Sequence, residues 1–154
     1  MTTIIYCHKT KKIACDSRFT CNGIITTDNA IKYKKTGDKV YFLSGDVSDY
    51  SRLVEASKNA ENGQSVLIET AVSCSSIMAK NGSVFSVGIT DSGQYWEEKL
   101  DQSHSIGSGS CFALAALDHG KSALDSVKYA MSRDMYSGGK IRVYDTQKGR
   151  LTRG

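Results

Sequence analysis

The sequence predicts a single α+β domain spanning 1–154, with helices gathered in pairs outside stacked antiparallel sheets. Three observations carry that prediction. Short runs rich in β-branched and aromatic residues fill the opening third and recur at 83–106 and 140–145. Helical spacing is confined to two stretches, each interrupted by glycine. The chain has 154 residues, 40% hydrophobic and 23% charged, enough to bury one real core.

The elements follow in order. Positions 3–7 and 12–15 are β-rich runs around the polar tip 8–11, a hairpin signal. That hairpin brings Thr2, at the start of one strand, beside Asp16, at the end of the other. Asn22-Gly23 turns the chain into Ile24-Ile25-Thr26-Thr27. A strand is expected at 30–34 with Lys32 inside it. Gly37-Asp38 then turns into a strand at 39–44 that ends at Gly45. Asp46 or Ser48 is placed to cap a helix running to about Asn62, where Gly63 stops it. A second helix is expected at 66–79, ended by Asn81-Gly82. Strands at 83–90 and 94–99 flank Asp91-Ser92-Gly93, with Trp96 packed in the core or on its rim. After a short strand at 103–106 and Gly107-Ser108-Gly109, a helix at 111–119 stops at Gly120. Ser122, with Asp125 three positions on, starts another helix whose buried stripe is Leu124, Val127 and Met131. Gly138-Gly139 breaks it before a last strand at 140–145.

Composition excludes several function classes. The net charge of +4 is mild, and the small basic clusters at 9–12 and 32–35 read as solvated turns rather than a nucleic-acid groove. No apolar stretch is long enough to span a membrane, and the opening residues do not form a signal peptide. The 5 cysteines form no Cys-x-x-Cys pair, and their odd count suits reduced thiols in a cytoplasm. His8, His104 and His119 lack metal-ligand spacing with them, so no structural zinc is expected.

Thr2 is the residue with the most chemistry to offer. If Met1 is removed, Thr2 carries a free α-amine beside its own hydroxyl. An α-amine titrates near pH ~7.7–8.0, which suits a general base at neutral pH. An N-terminal amine that activates its own threonine hydroxyl is one route to covalent catalysis.

Several ordered motifs carry a family resemblance. They are Thr2-Thr3-Ile4, Ala14-Cys15-Asp16-Ser17-Arg18, Lys32 at sixteen residues beyond Asp16, Ile106-Gly107-Ser108-Gly109, and Arg133-Asp134-Met135-Tyr136-Ser137-Gly138-Gly139. In this set the chain resembles proteasome β-type subunits and HslV-like peptidases, members of the N-terminal-nucleophile hydrolases. The resemblance spans nearly the whole chain. It implies a four-layer α/β/β/α sandwich and a threonine endopeptidase that needs no cofactor. By residue, it implies Thr2 as nucleophile, Lys32 as the cation beside it and Asp16 as the acid that orients Lys32. Gly45 matches the oxyanion-hole glycine, and Ser108, Asp134 and Ser137 match a trio that supports the N-terminal amine. Phe19, Ala30, Lys34, Leu43 and Val47 match the specificity pocket, which reads as partly apolar, with Lys34 able to attract an acidic side chain.

The resemblance further implies a homo-oligomeric ring, hexameric or heptameric and stacked, that takes unfolded protein or peptides and works with an ATP-dependent unfoldase cap. The chain departs from the family in length. The step from Thr2 to Asp16 is short, and most trimming falls at 63–96. Met1 replaces the glycine that precedes the nucleophile, so a methionine aminopeptidase rather than self-cleavage is expected to expose Thr2. Two rival readings are a catalytically inactive ring subunit and an N-terminal-nucleophile amidohydrolase acting on small amides. The presence of Thr2, Asp16 and Lys32 together argues against the first.

Overall fold

A computed structural model describes residues 1–64 and 71–152. The first hairpin forms from β1 (Ile4–Cys7) and β2 (Lys12–Cys15), in the register Ile4 opposite Cys15. Next come a small separate hairpin of β3 (Phe19–Cys21) and β4 (Ile24–Thr27), then β5 (Tyr33–Thr36) and β6 (Lys39–Gly45). A 3₁₀ turn at Val47–Asp49 leads into α1 (Tyr50–Glu61). β7 (Cys74–Lys80), β8 (Ser83–Ile89), β9 (Tyr95–Lys99) and β10 (His104–Ile106) precede the pair α2 (Ser110–Asp118) and α3 (Ala123–Met131). β11 (Arg142–Asp145) and β12 (Arg150–Thr152) close the chain.

The strands form two five-stranded antiparallel sheets, ordered β10-β1-β2-β11-β12 and β5-β6-β7-β8-β9. The period-2 alternation of β1 explains how they stack. Ile4 and Tyr6 face a core shared with Phe42, Ile77 and Val84 of the other sheet. Ile5 and Cys7 face the opposite way, toward Ala113 of α2 and Val127 and Ala130 of α3. The second sheet is covered similarly, with Tyr41, Leu43 and Met78 packed on Leu53 and Val54 of α1. Both faces of the central strands are therefore apolar, and burial of this surface at roughly 25 cal/mol per Å² is what holds the layers together.

Three expectations need correction. The helix expected at 66–79 is wrong where it can be compared: 74–80 is β7, paired with β6 on one side and β8 on the other. Its start, 66–70, lies outside the described residues. Ile77 and Ala79 face the inter-sheet core while Met78 faces α1, and a strand buried on both sides shows no polar–apolar alternation. The strand expected at 30–34 begins only at Tyr33, because Ala30 N donates to Ser17 O (2.9 Å), which ties this stretch to the end of β2. Neither Asp46 nor Ser48 caps α1. Asp49 takes the N-cap position without capping through its side chain, which instead accepts from Arg52 (2.9 Å) and Ser73 N (2.8 Å). The strands β3 and β12 were not anticipated. Ser122 does cap α3, its hydroxyl accepting from Asp125 N at 3.1 Å. Trp96 sits on the rim, 39% exposed.

Candidate active site

The end of β2 and the start of β1 build the centre of the site. Asp16 N donates to Thr3 O (3.2 Å), so the hairpin ladder continues one residue beyond β2. Asp16 itself is fully buried, and its carboxylate is saturated with donors. At Oδ1 it accepts from Thr3 N (3.0 Å), Lys32 Nζ (2.9 Å) and the Thr2 hydroxyl. At Oδ2 it accepts from Gly138 N (2.9 Å) and Arg18 N (3.2 Å). A carboxylate held by backbone N–H groups is fixed in place before any substrate arrives.

Lys32 is buried with it. Its Nζ also donates to the Thr2 Oγ1 and to Met1 O (3.3 Å). Burial pulls the Lys32 pKa below the ordinary lysine value, and the Asp16 charge opposes that shift. The Met1 amine is also lowered, first by burial and then by the Lys32 charge. The Lys32 ammonium lies 5.4 Å from the Phe19 ring centre. Cys15, next to Asp16 in the chain, is pushed up to about 12 by burial, so it stays a neutral thiol and is no rival nucleophile.

The Ser108–Asp134–Ser137 trio also comes together. Ser108 Oγ and Ser137 Oγ both donate to Asp134 Oδ2 at 2.6 Å. The trio reaches the chain start through its main chain and next residue: Ser108 Oγ donates to Thr2 O (3.4 Å), and Ser137 Oγ pairs with Thr3 Oγ1 (2.6 Å). Gly107 permits this approach. Its φ is +95°, and a Cβ there would lie 2.0 Å from Thr2 O.

Gly45 ends β6 with φ +117°, and a Cβ would meet Ser73 O at 2.2 Å. The ladder fixes where its N–H points. Leu43 N donates to Lys32 O (2.8 Å), and Asp46 N donates to Ser73 O (2.7 Å). Alternation along the strand therefore turns the Gly45 N–H to the same side as that of Leu43, toward the segment carrying Lys32.

A cavity of about 470 Å³ opens beside Met1, with Phe19, Gly45 and Val47 among its walls. The other residues expected in the pocket lie elsewhere. Leu43 is buried against α1. Ala30 is buried and carries an O that accepts from Arg142 at 2.7 Å. Lys34 is exposed on β5, opposite Tyr41, and is not on the cavity wall. Sequence reasoning missed Thr3 and the Arg18 and Gly138 amides as partners of the centre. The doubled Thr2-Thr3 and the Gly138-Gly139 step were the available signals. It also missed Asp46 as a cavity wall. Among the described residues no group of His, Cys, Asp and Glu is placed to hold a metal.

Two stacked antiparallel sheets with flanking helices carry the chain start, where Thr2 meets Asp16 and Lys32. The structure is similar to eukaryotic HslV from Trypanosoma brucei, with TM-score 0.69 and 21% identity over 92% of this chain and 97% of that one. It is also similar to Thiobacillus denitrificans BPH, solved in complex with epoxomicin, with TM-score 0.66 and 17% identity over 93% and 97% of the two chains. At these identities the likeness is one of fold. No protein-family model matches the chain, and no curated protein matches it in sequence.

Proposed function

We propose that the chain is a threonine endopeptidase subunit of a self-compartmentalised ring protease, with Thr2 as nucleophile once Met1 has been cleaved. One observation carries this reading: the Thr2 hydroxyl is buried between Lys32 Nζ and Asp16 Oδ1, bonded to both. A threonine that only needed a hydrogen bond would not require a buried ion pair around it.

The chemistry is acyl transfer. Removal of Met1 turns the Thr2 nitrogen from an amide into an amine, which takes the proton of Oγ1 as that oxygen attacks a peptide carbonyl. Lys32, positive beside Oγ1, favours the alkoxide, and Asp16 holds Lys32 in place. The Gly45 N–H is the donor for the tetrahedral oxyanion, a contact worth roughly 2.7–4 kcal/mol in barrier. The amide C–N bond then breaks, the Thr2 ammonium returns its proton to the leaving nitrogen, and water hydrolyses the ester. Ser108, Asp134 and Ser137 set the position of the Thr2–Thr3 main chain. Phe19 and Val47 supply substrate contacts.

The packing of both sheets supports a four-layer α/β/β/α arrangement. By likeness to HslV we extend the proposal to a cytoplasmic homo-oligomeric ring that receives unfolded chains from an ATP-dependent cap. Among the described residues no helix is long and apolar enough to cross a membrane. The test pairs casein hydrolysis with light scattering. Thr2→Ala should abolish cleavage while leaving the oligomer mass unchanged. Cleavage by the Thr2→Ala protein would refute the assignment of the nucleophile.

A further inference from the structure

We propose that Asp46 sets substrate preference at this site, selecting peptides with lysine or arginine beside the cleaved bond. The inference rests on the peptidase reading above and names its substrate class. Asp46 is the charged side chain on the wall of the 470 Å³ cavity; the other walls are apolar or hydroxylic, among them Phe19, Val47, Thr20, Thr26, Ser48 and Ser73.

The main chain of Asp46 is fixed on both sides. Its N–H donates to Ser73 O (2.7 Å), and its C=O accepts from Asp49 N (3.0 Å). Its carboxylate is left for a ligand: it sits at the start of the 3₁₀ turn but caps nothing, and it is exposed. The neighbouring acid is committed, because Asp49 already serves Arg52 and Ser73 N. Asp46 directly follows Gly45, the proposed oxyanion donor, so its reach covers residues flanking the scissile carbonyl.

Two further observations bear on the sign. Asp46 raises the pKa of the Met1 amine against burial and the Lys32 charge, which lower it, so the Asp46 carboxylate itself favours an ammonium at this end of the cavity. Lys32 is buried in an ion pair with Asp16 at 2.9 Å and is not on the cavity wall, whereas Asp46 is exposed on it. Lys34, which the sequence suggested as an attractor of acidic side chains, is not on the wall. The preference proposed is therefore the reverse of the one expected from sequence.

The test uses the full-length chain freed of Met1 and three fluorogenic peptides that differ only in arginine, leucine or glutamate before the cleaved bond. An exposed carboxylate attracts a cation and repels an anion by a modest amount each, so kcat/KM for arginine should exceed that for glutamate by about tenfold. Asp46→Asn should shrink that ratio to about twofold, through KM. Competition between arginine-like and glutamate-like epoxyketones for Thr2 labelling should follow the same order. Thr2-dependent cleavage in which glutamate equals or beats arginine, or a ratio unmoved by Asp46→Asn, overturns the assignment of Asp46 and leaves the peptidase reading standing. No turnover of any peptide and no labelling of Thr2 overturns both.

Discussion

Replacing Asp16 with alanine removes the one carboxylate that faces a buried ammonium. Lys32 Nζ is fully buried and pairs with Asp16 Oδ1 at 2.9 Å. Breaking a buried pair by removing one partner costs about 3–5 kcal/mol, because the other charge stays behind. The backbone N–H groups of Thr3, Arg18 and Gly138 lose their acceptor in the same change. Against a typical total of about 5–15 kcal/mol, this is a large fraction. For a domain near this size it lowers Tm by about 6–20 °C. The loss should also depend on pH. Burial sets the folded pKa of Lys32 below its unfolded value, and Asp16 is what resists that shift. Without Asp16 the folded pKa falls further, so the unfolded chain binds the extra proton throughout the window up to the ordinary lysine value of ~10.4. Stability of the variant therefore rises with pH toward that value and is lost as pH falls through the lowered folded pKa. Urea unfolding between pH 7 and 10 measures both effects. A loss under about 1 kcal/mol, or a stability that falls as pH rises across that range, would refute the buried-pair argument.

Other outcomes follow from single contacts. Gly107→Ala places a Cβ 2.0 Å from Thr2 O at a φ of +95°, so Thr2 should be displaced and its labelling by an epoxyketone lost, as read by intact mass. Ser126 is buried in α3, and its Oγ is the buried side-chain polar atom without a partner among the described residues. Ser126→Ala should leave stability unchanged or raise it by up to about 1 kcal/mol in urea unfolding. Glu61 bonds to Lys80 and pairs with Lys39, which hold its carboxyl down to about 2. Its contribution should persist above pH ~4.3 and fade as pH drops toward that lower value, which an NMR titration of Glu61 would follow.

The first hairpin was legible because Thr3–Cys7 and Lys12–Cys15 are short β-rich runs around a polar tip, and local signals settle local structure. Pairing of Thr2 with Asp16 followed from that hairpin alone. Asp134 and Ser137 could be placed near the chain start only through a motif resemblance, since they arrive from the other end of the sequence. β7 was misread because the other sheet covers one of its faces and α1 the other, which erases the alternation that marks a strand. The pocket was the least legible part. Which way Leu43 points depends on the register of β6 with β7, and a one-residue step moves a side chain from the site to the core. Asp46 read as a helix cap, yet Asp49 takes the cap position and leaves Asp46 facing the cavity.

Whether Thr2 becomes a nucleophile depends on the loss of Met1, and one spectrum reports both. Intact mass is measured for the purified chain before and after incubation with a threonine-directed epoxyketone. The account predicts a chain lacking Met1 that gains one inhibitor mass, with the adduct abolished in Thr2→Ala. A chain that lacks Met1 and gains no mass, or an adduct that persists in Thr2→Ala, would contradict it.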